Sequence, residues 1–259
     1  MYEDSSEAKN EKILARNLAL EILKQLKKKG RLVLGCPGGR SLKKTYYYLG
    51  QLSYELNISL DQLTIIMMDE YVEKIRGQYK LVNPHSHFSC VRFSKQVIKR
   101  LLNYKKNHIT SLKTKNILFP DIENPDVYDS IIKKLGGIDI FLLASGSSDG
   151  HVAFNNTYSK LSQKTHITKL SIKTRKDNMK TFLNFKKLNE VPKYGLTVGL
   201  KTIFSLTKEA ILVLTGEEKK EAFRKIKELN KFDVNWPASI VFKCRKYNIY
   251  TNLIDNYQK

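Results

Sequence analysis

The sequence predicts an α/β fold: a single doubly wound, mostly parallel sheet with helices on both faces. Three observations predict it. Short, continuous apolar runs recur at 31-RLVLGC-36, 64-TIIMM-68, 138-IDIFLLA-144 and 210-AILVLT-215. A strand that is apolar on both sides is buried on both sides, which is the habit of parallel sheets. Amphipathic stretches alternate with these runs, the order expected of successive βα units. No Pro-, Gly- or Ser-rich linker and no internal repeat divides the 259 residues, and 41% hydrophobic content suffices for a core in a chain of that length. One domain over 1–259 is therefore expected.

The elements follow in order. Leu14, Leu18, Ile22 and Leu26 recur at near-helical spacing across 11–29, and Gly30 stands where a helix C-cap would stand. The first apolar run is broken by 37-PGGRS-41, after which 41–56 reads as a second helix. The second run ends in Asp69, Glu70 and Tyr71. Residues 76-RGQYKLVNPHSHF-88 lack a period and are expected to form a loop with a short helix, a candidate lid. The third run ends in 144-ASGSSDGHVAFNN-156, which packs an acid, a histidine and two amides into a glycine-rich stretch. The fourth ends in Gly216 and a helix over 217–229, and 248-NIYTNLI-254 reads as a last strand.

The formal charge of +21 admits a surface for an anionic partner or a bias of composition. The lysines are spread through the predicted helices and form no arginine-rich stripe. No nucleic-acid motif accompanies them, so a nucleic-acid partner is not expected. A positive field still attracts a phosphorylated metabolite. Cys36, Cys90 and Cys244 are odd in number and share no metal-ligand spacing, which points to reduced thiols. The N-terminus lacks an apolar signal core and no run approaches the roughly 20 residues that span a bilayer. A soluble cytoplasmic protein without a membrane partner is expected.

In open α/β sheets ligands bind beyond the carboxyl ends of the strands, so residues just after the apolar runs are the candidates. In the turn Gly38, Gly39, Arg40 and Ser41, two glycines let backbone N–H groups approach an anion, and the helix start adds partial positive charge. A plain tight turn is the alternative, and the glycine spacing matches neither the Walker A loop nor the dinucleotide fingerprint. Successive side chains of a strand point in opposite directions, so one of Asp69 and Glu70 faces the site. Asp69 is the candidate, with a helix cap or surface ion pair as the alternative. Asp149 and His151 pair a carboxylate with an imidazole, a type of group that ordinarily titrates near neutrality. An incidental glycine turn is the alternative. His85, His87 and His151 show no helix-spaced ligand pair, and no metal is expected.

With these residues in hand, the chain resembles the glucosamine-6-phosphate deaminase family, whose sugar-phosphate isomerase fold is shared with 6-phosphogluconolactonases. The resemblance rests on 34-LGCPGGRSLKKTY-46, 67-MMDEYV-72, 136-GGIDIFLLASGSSDGHVAFN-155, 191-VPKYGLTVGLKTI-203 and 211-ILVLTGEEKKEA-222, in order over most of the chain. The HVAFN ending favours the deaminase branch. The resemblance implies a phosphorylated amino sugar as substrate and no cofactor. It implies Asp69 as the base that removes the C2 proton, His151 oriented by Asp149 for ring opening, and phosphate contacts from residues 38–41 and Lys219. Lys180 falls near a phosphate-binding arginine of the family. The oligomeric state is left open, a homo-oligomer included.

Departures accompany the matches. Asn156 stands where the family has a glutamate that assists the histidine, and an amide does not exchange a proton as a carboxylate does. The loop 145-SGSSD-149 is one residue longer, Lys180 replaces a fork by a point charge, and 237-PASIVFKCRKYN-248 lacks a histidine usual there. Three readings follow, in this order: a deaminase with a weakened ring-opening relay, a lactonase-type hydrolase in which His151 activates water, and a sugar-phosphate sensor without turnover.

Overall fold

The computed structural model describes residues 6–105, 107 and 109–253. The chain runs through α1 (Ser6–Lys29), β1 (Leu32–Cys36), α2 (Lys43–Glu55), β2 (Leu63–Met67), β3 (Asp69–Ile75) and β4 (Gln78–Leu81). It continues with α3 (Cys90–Phe93), α4 (Lys99–Leu102), β5 (Ile117–Leu118), α5 (Pro125–Lys134), β6 (Ile138–Ala144) and β7 (His166–Lys169). The last elements are α6 (Ile172–Thr181), β8 (Tyr194–Thr197), α7 (Leu200–Leu206), β9 (Thr207–Leu214), α8 (Lys220–Glu228) and β10 (Tyr247–Thr251).

Six strands form a wholly parallel sheet in the order β10-β9-β6-β1-β2-β5. Every residue of β1 is buried, and its side chains alternate between two apolar layers. Leu32, Leu34 and Cys36 join Leu18 and Ile22 of α1 and Leu49 of α2 on one face. Val33 joins Ile132 of α5, Ile203 of α7 and Ile226 of α8 on the other. The helices therefore cover both faces, which is why the strands read as unbroken apolar runs and not as alternating ones. Gly30 takes φ +71 after α1, a left-handed conformation that glycine adopts without a steric penalty.

The structure adds a second sheet that the apolar runs did not announce. It is antiparallel, in the order β4-β3-β8-β7. Residues 76–88 are accordingly not a loop throughout. Arg76 (φ 49) and Gly77 (φ 86) make a two-residue hairpin turn, the left-handed pair that suits the twist of the flanking strands, and β4 follows. The two sheets meet at Met68, between β2 and β3. Its N–H donates to the Cys36 carbonyl at 3.3 Å, and its own carbonyl accepts from the Val198 N–H at 2.8 Å. The last strand forms as expected against β9; Ile254, the end of the expected segment, lies outside the described residues. No helix among the described residues is long and apolar enough to cross a membrane.

Candidate active site

The carboxyl ends of β1, β2, β6 and β9 open into one cavity of about 1140 Å³. Asp69, His151, the Gly38–Ser41 turn, Lys180 and Lys219 all line it. Five segments distant in sequence thus converge where the switch-point rule for parallel sheets puts a ligand.

Asp69 opens β3 and is 6% exposed. Burial pushes its carboxyl up to about 7, and the nearby Glu70 adds to the rise. A Cys90 hydrogen bond and the His151 side chain oppose it. Glu70 faces the other way, as strand alternation requires. Its carboxylate accepts from Ser89 Oγ at 2.7 Å, Cys90 N at 3.0 Å and Val91 N at 2.8 Å, tying down the start of α3. Glu70 thus supplements Ser89, the N-cap of α3, whose Oγ accepts from Arg92 N at 3.2 Å.

Asp149 does not line the cavity; it acts on it through His151. One carboxylate oxygen lies 2.6 Å from His151 Nδ1. The other accepts from Ser171 Oγ at 2.9 Å and Thr174 Oγ1 at 2.7 Å. Burial alone would raise this carboxyl, but the His151 contact and the Thr174 hydroxyl outweigh it and hold Asp149 well below the usual carboxylate range. An ionised carboxylate only accepts, so Nδ1 carries the proton and Nε2 is the nitrogen left for chemistry. Gly146 permits the pairing: a Cβ there would lie 2.1 Å from His151 Nδ1.

Lys219, just before α8, donates to the Ser145 carbonyl at 2.7 Å and to Ser147 Oγ at 3.1 Å. Burial lowers its pKa, while Glu218, Asp177 and Asp149 oppose the drop. Arg40 reaches the Lys180 carbonyl at 2.8 Å, joining the glycine turn to the end of α6. The Lys180 side chain is exposed at the rim.

Asn156 is the candidate that neither lines the cavity nor hydrogen-bonds to a residue that does. It is 3% exposed, its Nδ2 donates to the Lys169 carbonyl at 3.0 Å, and its Oδ1 accepts from Tyr158 N at 2.9 Å. Both ends of the amide are committed to a turn and to β7. Among the described residues, the metal-capable group that does converge is Asp149, His151 and Asp177, without His85 or His87. Hydroxyls and the imidazole already occupy the Asp149 oxygens. His87 packs against Phe88, Phe182 and Phe185 instead.

Sequence reasoning missed the residues that hold the site from α6. Ser171 is the N-cap of that helix, accepting from Thr174 N at 2.9 Å. Asp177, farther along it, accepts from Ser148 N at 3.2 Å and Ser148 Oγ at 3.0 Å. The available signal was Ser171 three residues ahead of Thr174, a helix-start pattern in a stretch of little apolar period.

Comparison with known proteins agrees with this architecture. The family model described as "Glucosamine-6-phosphate isomerases/6-phosphogluconolactonase" matches residues 5–250. A glucosamine-6-phosphate deaminase of Mycoplasma mycoides subsp. mycoides SC is 31% identical over 246 residues, covering 95% of this chain and 92% of its own. Glucosamine-6-phosphate deaminase 1 of Bacillus subtilis is 30% identical, covering 83% of this chain and 82% of its own. Among solved structures, a monomeric glucosamine-6-phosphate deaminase superposes with a TM-score of 0.77 at 26% identity, covering 93% of each chain. The 6-phosphogluconolactonase of Thermotoga maritima reaches 0.63 at 16% identity, covering 92% of this chain and 93% of its own, a likeness of fold alone.

Proposed function

The chain belongs to the glucosamine-6-phosphate isomerase/6-phosphogluconolactonase family, and from that premise we propose that it converts glucosamine 6-phosphate and water to fructose 6-phosphate and ammonia. The observation that carries this reading is the shared cavity. A buried carboxyl with its pKa near neutrality, an oriented imidazole and a glycine turn beside a lysine face the same space. Removing a proton from carbon needs a placed base and a partner for the displaced charge; holding the sugar by its phosphate makes the encounter effectively unimolecular.

In this mechanism the phosphate lies against the N–H groups of residues 38–41 and the Lys219 ammonium, with Lys180 adding positive charge at the rim. His151 Nε2 shuttles a proton between the ring oxygen and the C1 hydroxyl to open the ring. Asp149 holds the imidazole by Nδ1 and leaves Nε2 turned to the substrate. Asp69, ionised, takes the C2 proton. The electron pair moves into a C1–C2 enolamine, reprotonation at C1 leaves an imine at C2, and water releases it as ammonia.

Asn156 enters this reading as an absence of help. With its amide directed to Lys169 and Tyr158, ring opening rests on the Asp149–His151 pair, and a slow deaminase is expected. The same pair suits activation of water on a lactone, which keeps the hydrolase as the second reading. The test is to incubate purified protein with glucosamine 6-phosphate and measure ammonia and fructose 6-phosphate, with hydrolysis of 6-phosphogluconolactone in parallel. Ammonia in step with fructose 6-phosphate supports the deaminase. Lactone hydrolysis without ammonia replaces it with the hydrolase, and phosphate-sugar binding without either product replaces both with a sensor.

A further inference from the structure

Deaminase chemistry as derived above has no use for a thiol, yet one lies against the proposed base. Cys90 opens α3 and is 3% exposed, and its Sγ lies 3.3 Å from Asp69 Oδ1, inside the longer reach of a sulfur hydrogen bond. Two further contacts keep it there. Glu70 holds the backbone N–H of Cys90 at 3.0 Å, so the start of α3 is anchored to the residue next to Asp69. The glycine turn closes on the sulfur: a Cβ on Gly38 would lie 2.6 Å from Cys90 Sγ and 3.4 Å from Asp69 Oδ1.

The thiol is a donor here and not a nucleophile. Burial first, then the charges of Asp69 and Glu70, push its pKa well above the ordinary thiol value, so sulfur keeps its proton while Asp69 ionises. The other titratable groups near Asp69 are Glu70 and Tyr71 on its own strand, Tyr46 on α2, Tyr128 on α5 and His151 beyond β6. Tyr46 Oη is turned to the Pro37 carbonyl at 3.3 Å, and Tyr128 Oη to the carbonyls of Met67 and Leu118 at 2.8 and 2.9 Å. Cys90 supplies the side-chain hydrogen bond that the Asp69 carboxylate receives.

We infer that Cys90 is a positioning residue for the base: its thiol hydrogen-bonds one oxygen of Asp69, fixes the carboxylate at the cavity wall and favours the ionised form that takes the C2 proton. This rests on the reading of Asp69 as base. No bond to sulfur is made or broken. A donor to the charged form lowers a carboxyl pKa, so its loss moves the acid limb of catalysis to higher pH.

The experiment follows exchange of the C2 proton of glucosamine 6-phosphate with solvent deuterium across pH for the native protein, Cys90→Val and Cys90→Ser. Valine fills the space without a donor; serine keeps a donor. The acid limb of Cys90→Val should move up by a few tenths of a pH unit, with exchange below the limb reduced about two- to fivefold, as befits a weak donor. Cys90→Ser should keep the native limb. A valine limb that coincides with the native one overturns the inference, as does a serine limb displaced as far as valine's, which would reduce Cys90 to packing. Should Cys90→Val fail to fold, the Raman S–H band decides, assigned by difference against Cys90→Ser. It should fall in frequency as pH rises through the titration of Asp69, and a band that stays in place overturns the inference. A native protein that exchanges no C2 proton removes Asp69 as base and this inference with it; native exchange with an unshifted valine limb removes only the role of Cys90.

Discussion

Asp69 and Asp149 are each 6% exposed, each beyond the end of a parallel strand, and their carboxyls are pushed in opposite directions. Burial acts on both in the same sense, so burial does not set the sign. Partners do. Among the described residues, Asp69 receives one weak sulfur donor and has Glu70 beside it, so desolvation prevails. Asp149 receives an imidazole and two hydroxyls, and those donors prevail. The comparison shows how one sheet edge keeps one carboxyl titrating near neutrality, able to take and return a proton, and another charged at neutral pH, able only to orient.

The largest expected effect comes from removing the group proposed to take the proton. Asp69→Asn should cut C2 exchange on the order of 10⁴-fold while leaving binding of the phosphorylated sugar largely intact. In the native protein exchange should fall away below about pH 7, where the Asp69 carboxyl is protonated. The same variant should be more stable than the native protein at high pH. The folded pKa of Asp69 is raised, so its contribution to stability is complete below the ordinary 3.8 and is lost as pH rises through about 7. Thermal unfolding should therefore show a gap in favour of asparagine that widens from pH 4 to 8, reaching roughly 1 to 3 kcal/mol. A gap that stays flat would break the comparison.

Asp149→Asn should do the reverse to stability and somewhat less to rate. Its folded pKa is depressed, so its contribution is present above the ordinary 3.8 and lost as pH falls. The variant should be destabilised by about 1 to 3 kcal/mol at pH 7, with the gap closing in acid, and turnover should drop roughly 10²- to 10³-fold. Lys219→Ala tests the phosphate end. Loss of one charge-assisted bond should raise KM by about 1.5 to 3 kcal/mol of binding with kcat less affected, and an unchanged KM would remove Lys219 from the site. The smallest effect is expected from Asn156→Glu. A carboxylate there forfeits the amide donor to the Lys169 carbonyl before it can assist His151, so kcat on glucosamine 6-phosphate should rise by no more than about tenfold.

Much of the larger sheet was legible because its strands are apolar on both faces and bounded by turn residues. The smaller sheet was not. All four residues of β4 are exposed, a single residue separates β3 from β2, and neither β3 nor β4 carries an apolar run. Pairing across β3 and β8 is non-local, which no window of sequence reports. In the site, Asp69, His151 and the glycine turn were legible as strand ends, and Glu70 and Asp69 separated as alternation requires. Asn156 was placed by motif position, but its direction depends on a carbonyl of β7 that pattern alone does not reveal. Cys90 was read as an ordinary free thiol because its neighbours, Gly38 and Asp69, come from other segments.

Met68 leaves its mark on how chain length can vary. Its N–H belongs to the hydrogen bonding of the larger sheet and its carbonyl to that of the smaller, with Asp69 next in line. An inserted or deleted residue there reverses which side of β3 each side chain occupies, exchanging the carboxylate at the cavity for the one that anchors α3. The hairpin tip at Arg76 and Gly77 carries no such constraint, since both residues are exposed and extra residues there lengthen a loop without changing the phase of the strand before it. Length variation among descendants of this chain is therefore expected to collect at the tip and to be purged at Met68.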